Sequence, residues 1–245
     1  MRAFVAIVKR EFLAYFFSPL AYVVLAAFLL LNGITFRGIL EALNSPDAPR
    51  NALMALFFNN VFFWFFMMLV SCLISMRLIS EERKSGSIEA LLTAPVGEGT
   101  VVSAKFTAAW LFFLFLWLPT IAYPLLLARY GRVEFGPVAS GYLGIALIGA
   151  LFVAAGTFGS SLTKNQIAAA IIGFVFVLSI VFLGVFESFV NDPKTREALA
   201  YLNLLSHMDD FSRGIVDTRR IVYTLSTVVF FLFVSAKALE ANKGK

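Results

Sequence analysis

Long apolar runs alternate with short polar ones along the whole chain. Six runs, at 18–36, 57–76, 106–127, 141–162, 167–186 and 221–236, carry no Asp, Glu, Lys or Arg in their interiors. Each is close to the roughly 20 residues that an α-helix needs to cross a bilayer. Lipid offers the backbone no hydrogen-bond partners, so runs of this kind must be helical. The pattern predicts an all-α, polytopic membrane protein with six transmembrane helices in a single transmembrane domain over 1–245.

The segments between the runs have distinct characters. In 1–17, Phe4, Ile7, Val8, Phe12 and Tyr15 recur at helical spacing with Arg2, Lys9 and Glu11 between them. This predicts an amphipathic helix lying at the headgroup boundary, broken at Ser18-Pro19 because proline disfavours helix in the residue before it. The charges at 9–11 also interrupt any cleavable signal pattern. Arg37 to Asn51, with Pro46 and Pro49, reads as an external turn. Asn59 and Asn60 read as interfacial asparagines at the outer end of the second run. Pro119 and Pro124 predict an interruption in the third run, which could shape a path or fit a neighbour. Ala150 and Ala154, Gly156 and Ser160, and Ala169 and Gly173 are small residues four apart, a spacing that lets helices approach closely.

The long segment 187–220 holds ALAYLNLLSHM, too apolar for a free loop and too short to span. A pair of short surface-lying or re-entrant helices fits. Ser206 reads as a helix cap, Gly214 as a helix stop and Asp217 as the cap of the last run.

Composition agrees with lipid as the solvent. The chain is 60% hydrophobic and 14% charged, with mean hydropathy +0.86, against about 25% charged residues in a soluble domain. Six spans put both termini on one side. With that side cytosolic, eleven of the 20 Lys and Arg and six of the 15 acids face the cytosol, which follows the positive-inside tendency. The high pI is then a matter of topology, and without a basic patch interleaved with aromatics there is no sign of nucleic-acid binding.

Catalytic chemistry finds little to use. The lone Cys72 reads as a small residue inside a span, and the lone His207 as a surface residue of a capped helix. No His/Cys/Asp set has metal-ligand spacing, and no Gly-x4-Gly-Lys-Ser/Thr loop is present for nucleotide. The spans lack the midplane carboxylates of ion-coupled carriers. No cofactor, metal or catalytic residue is therefore expected, and energy for transport would come from elsewhere.

The segment 80–100, SEERKSGSIEALLTAPVGEGT, is the one place suited to receive it. Ser87 can cap a short helix from Ile88 to Leu92, closed by Pro95. Ile88, Leu91 and Leu92 share one face, behind a collar of Glu81, Glu82, Arg83 and Lys84. Such a face suits a groove on a soluble partner or packing on the protein's own bundle.

The stretch EERKSGSIEALLTAPV resembles the signature of the permease subunits of type-2 ABC exporters. The resemblance implies that this segment is a cytosolic coupling helix touching a separate ATPase, with Glu82, Gly86, Ser87, Glu89, Leu91, Leu92 and Pro95 at the matching positions. KREFLAYFFSPLAY is similar to that family's surface helix and the start of its first span. HMDDFSRGIVDTRRIVYTLSTVVFFLFVSAKALE is similar to the ending found in the subgroup of gliding-motility and nitrous-oxide-reductase-maturation permeases. What this implies is a permease working by alternating access in the inner (cytoplasmic) membrane, with both termini cytoplasmic. It would act as a homodimer or beside a related permease, with two ABC ATPase subunits that bind the ATP, and with room for a periplasmic accessory protein. Short external helices before the last span would form a gate at Leu199, Leu202, Leu204 and Leu205. A stand-alone carrier or channel, or a structural membrane protein that transports nothing, is the alternative.

The topology yields a direct test. In a Cys72→Ala background, cysteines placed at Ser45 and Thr195 should react with a membrane-impermeant thiol reagent from outside. One placed at Ser85 should react only from inside, and a reversed pattern would overturn the orientation.

Overall fold

The structure is a computed structural model and describes residues 2–43, 53–86, 97–129, 133–187, 190 and 192–241. All regular elements among these residues are helical. α1 (Arg2–Phe16) and α2 (Pro19–Leu43) meet at the predicted Ser18-Pro19 break. Pro19 is tolerated at the first helical position because its missing N–H would have no partner there. α2 outruns the turn expected from Arg37, with Arg37 and Glu41 pairing one turn apart at 3.0 Å. The rest of that expected turn, 44–51, lies outside the described residues.

The second apolar run is two helices, not one. α3 (Leu53–Phe58) stops at the asparagines and α4 (Val61–Ser75) starts after them. The Asn60 side chain accepts from the Phe63 amide at 2.8 Å and donates to the Phe57 carbonyl at 2.6 Å. Asn59 donates to Asp209 at 2.8 Å. Asparagine side chains compete with the backbone for hydrogen bonds, and here they cap one helix and end another.

α5 (Ser80–Ser85) is short, and α6 (Glu98–Trp117) follows. The predicted helix from Ile88 to Leu92 falls outside the described residues. A 3-10 turn, Leu118–Ile121, separates α6 from α7 (Ala122–Ala128) where Pro119 removes a helical donor. Then come α8 (Phe135–Leu162), α9 (Gln166–Phe186), α10 (Pro193–Leu202), α11 (Leu204–Ser212) and α12 (Thr218–Glu240). The α10–α11 pair fills the segment expected to hold two short helices. Asn203, rather than Ser206, caps α11 by accepting from the Leu205 and Ser206 amides. Gly214, at φ +87°, ends that helix, and Asp217 caps α12. His207 is not a surface residue: it is 3% exposed.

Among the described residues, six helical runs are long and apolar enough to cross a membrane: Ala21–Glu41, Val61–Ser85, Glu98–Ala128, Phe135–Leu162, Gln166–Phe186 and Thr218–Glu240. The protein is thus an all-α, polytopic membrane protein. α8 is its axis, with α4, α6, α9, α11 and α12 packed around it. Within its apolar stretch 72% of α8 is buried, against 17% for peripheral α2.

Small residues set the closest approach. A Cβ on Gly159 of α8 would stand 2.7 Å from the Gly173 backbone nitrogen of α9, and one on Gly173 would stand 3.0 Å from the Gly156 Cα. On the other side, Trp117 of α6 meets Phe28 of α2 at 4.8 Å and Phe63 of α4 at 5.3 Å between ring centroids.

The inner end of the α1 stripe also packs on α6: Tyr15 stacks on Phe112 at 4.5 Å, and the adjacent Phe16 meets Phe115 edge-on at 5.0 Å. Val5, Leu13 and Phe17 remain exposed on other faces of the helix or just past its end.

Gly159→Ala should destabilise the protein by about 1–3 kcal/mol, the usual cost of overpacking a filled contact. Gly38→Ala, with no neighbouring atom within 4 Å of the new methyl, should cost nothing. Thermal unfolding in detergent checks the pair, and equal melting temperatures would refute the close α8–α9 contact.

Candidate functional site

The charged end of the bundle is built from three short pieces of chain. Glu11 lies on α1 one helical turn from both Ile7 and Tyr15, so it falls on the protein-facing stripe. Glu82 sits in α5. Lys105 sits two turns into α6, the one charged residue of that helix after Glu98. Its side chain is 2% exposed, and its ammonium donates to Glu11 at 3.0 Å and pairs with Glu82 at 2.8 Å. Arg10 adds contacts to Glu11 at 2.6 Å and Glu82 at 3.4 Å. Two cations thus face two carboxylates. Burial alone would raise the Glu11 carboxyl, but Lys105 and Arg10 outweigh it and hold the group below the usual carboxylate range. The Glu11 hydrogen bond raises Arg10 further.

Next to this cluster, buried Tyr15 donates its hydroxyl to the Ile74 carbonyl at 2.9 Å, and burial pushes its phenol well above the ordinary range. The Arg77 guanidinium stands 4.9 Å over the Tyr15 ring and donates to the Ser18 hydroxyl at 3.2 Å. A cavity of about 540 Å³ opens among Arg10, Glu11, Tyr15, Arg77, Glu82 and Lys105.

α5 is held from two further sides. Ser160 of α8 accepts from the Ile79 and Ser80 amides, both at 3.1 Å, and donates to the Met76 carbonyl at 2.9 Å. One hydroxyl therefore satisfies the turn between α4 and α5. Arg83 donates to the Ala238 carbonyl at 3.3 Å, near the C-terminal end of α12 where a cation is favoured. Gly86 closes α5 with φ +74°. Of the predicted coupling residues, Glu82 and Gly86 are described, and Glu82 points inward to Lys105. Ser87, Ile88, Glu89, Leu91, Leu92 and Pro95 lie outside the described residues.

At the opposite end, α11 is laced to the bundle. Ser140 donates to the Phe211 carbonyl at 2.5 Å, Arg220 pairs with Asp210, and Asn203 donates to Glu187 at 2.8 Å. The four predicted gate leucines separate. Leu204 is fully buried and Leu205 packs against the core, whereas Leu199 and Leu202 of α10 are partly exposed.

Sequence reasoning passed over Lys105, Glu11 and Ser160. A lone lysine well inside an apolar helix was the available signal, since such a group requires partners. Lys105→Met should cost about 3 kcal/mol, because it strands two partly buried carboxylates. Combining it with Glu11→Gln and Glu82→Gln should recover most of that loss. Denaturation in detergent measures both, and a harmless Lys105→Met would refute the cluster's role.

A family model described as "ABC-2 family transporter protein" matches residues 38–208. No curated protein matches the chain. The matched region covers well over half of the chain and includes α5, α6, α8 and most of the candidate site. The chain belongs to the ABC-2 family of transporter membrane proteins.

Proposed function

We propose that this permease exports its substrate by alternating access, as a dimer of identical or related permeases with two ABC ATPase subunits. The segment 80–100 docks on the ATPase through Ile88, Leu91 and Leu92, with Ser87, Glu89 and Pro95 shaping the helix. The ATPase alone binds and hydrolyses ATP. The chain lies in the inner membrane with both termini cytoplasmic, and a periplasmic accessory protein completes some assemblies. Leu199, Leu202, Leu204 and Leu205 belong to the external gate.

The observation that carries this reading is the mounting of α5. Glu82 ties it to α1 and α6, Ser160 ties its first turn to α8, and Arg83 ties it to α12. A push delivered to α5 therefore reaches three spans and the surface helix. Glu82 acts in this reading as an internal strut behind the docking face. The ending from His207 to Glu240 lies almost wholly beyond the matched region. Its resemblance supports placement in the gliding-motility and nitrous-oxide-reductase-maturation subgroup.

A gentle-detergent pull-down of tagged chain from its own source should bring a stoichiometric nucleotide-binding subunit with ATPase activity. Leu91→Asp with Leu92→Asp should abolish that association while membrane insertion persists, because burying carboxylates in an apolar groove costs several kcal/mol. Full retention of the ATPase by the double variant would overturn the docking assignment.

A further inference from the structure

The cavity of about 540 Å³ at the charged end of the bundle adjoins a shallow crevice, and the two share Tyr15 and Arg77 as walls. The rest of the crevice is apolar: Ala21 and Val24 of α2, Leu73 and Ile74 of α4, and Phe112 of α6. A charged pocket thus passes into an apolar cleft across one tyrosine and one arginine. Tyr15 is fixed there by its stack on Phe112 and its bond to the Ile74 carbonyl. The cleft runs beside α2, the least buried of the six spans, so lipid lies against this edge of the bundle.

The charges around the cavity balance. Arg10, Arg77 and Lys105 stand against Glu11, Glu81 and Glu82. Lys105 is sealed behind Glu11 and Glu82, so the groups open to an occupant are the others. The Arg10 side chain is 58% exposed and reaches both of its carboxylates through Nη2 alone, out of the five N–H donors of a guanidinium. Arg77 is half-buried and turned to Ser18 and the Tyr15 ring instead of to Glu81. Glu81, one turn further on, is exposed.

A simple anion would meet the Glu81 carboxylate, and a simple cation would meet two guanidinium groups. An occupant that matches the whole lining carries both charges and an apolar part. We propose that the cavity and its cleft bind a phospholipid with a zwitterionic, primary-amine headgroup, the phosphoethanolamine class. Its phosphate takes Arg10 and Arg77, its ammonium donates to Glu81, and its chains start in the cleft against Val24, Leu73 and Phe112. A trimethylated ammonium has no N–H to donate, and an alcohol headgroup leaves Glu81 without a cation. The volume falls within the range of about 300–1,000 Å³ of small-molecule pockets. Basic pockets between spans at the membrane surface hold lipid headgroups.

The test uses the purified full chain in phosphatidylcholine nanodiscs with a trace of phosphatidylethanolamine labelled on its acyl chain. Energy transfer from the protein's tryptophans reads occupancy. Unlabelled phosphatidylethanolamine should displace the tracer about tenfold better than phosphatidylglycerol or further phosphatidylcholine, the size expected of one charge-assisted hydrogen bond. Glu81→Gln leaves the lining with a net positive charge and should reverse the order, placing phosphatidylglycerol first. Ala14→Phe, at an exposed position of α1 that lines the cavity, should remove displaceable transfer for every lipid while the melting temperature holds. Soluble glycerophosphoethanolamine has no chains for the cleft and should fail at the same concentrations. Displacement by it equal to the lipid's would overturn the lipid as occupant. Equal displacement by the three lipids, or an order unmoved by Glu81→Gln, overturns the site.

Discussion

An ammonium group that is almost wholly removed from solvent can stay charged only if carboxylates come to it. Lys105 meets this condition with one acid from the surface helix and one from the loop helix. Its position in α6 thereby dictates where α1 and α5 must lie. The attraction in such a place is offset by the cost of desolvating both partners, so the cluster is better understood as fixing geometry than as adding stability. α1 completes its seat with aromatic contacts to α6, and α5 with the Ser160 and Arg83 bonds.

The axis of the bundle obeys a different constraint. Lipid gives no hydrophobic drive for one helix to prefer another, so close packing has to do that work. α8 supplies glycines where it faces α4 and α9, and bulky Ile148, Leu151 and Phe152 are fully buried along it. Polar groups consequently pool at the two ends of the bundle. The Lys105 cluster occupies one end. The lattice of Asn59, Asp209, Ser140, Asp210 and Arg220 occupies the other.

The spans, the Ser18-Pro19 break, the Pro119 interruption, the Gly214 stop and the Asp217 cap were legible because each rests on local chemistry. Periodicity, a missing amide hydrogen or a side chain two residues from its partner is visible in a window of the sequence. The break at Asn60 rests on equally local bonds, to Phe63 and Phe57, and was hidden only by the unbroken apolar run around it; the bond from Asn59 to Asp209, 150 residues away, lay beyond any window of the sequence. The burial of His207 and the inward turn of Glu82 were hidden for the same reason: each depends on which helices become neighbours. Glu11 had been placed between apolar positions, when its spacing from Ile7 and Tyr15 already put it among them. For the site, the acidic collar of the loop was readable, and the residue that collects it, Lys105, passed as one more basic residue in the charge count.

The ties that seat α5 span very different lengths of chain. Arg10 precedes Glu82 by 72 residues, and Arg83 precedes the Ala238 carbonyl by 155, while Glu11, which shares Lys105 with Glu82, precedes that lysine by 94. During synthesis the surface helix is made first and must wait, its carboxylate still hydrated, until the third span has entered the bilayer. The loop helix then acquires its lysine, and later its serine from the fourth span. Its last bond forms only when the end of the sixth span has left the ribosome. Seating of the loop is thus a late event in biogenesis, and a nascent chain interrupted before that span holds the loop by fewer ties.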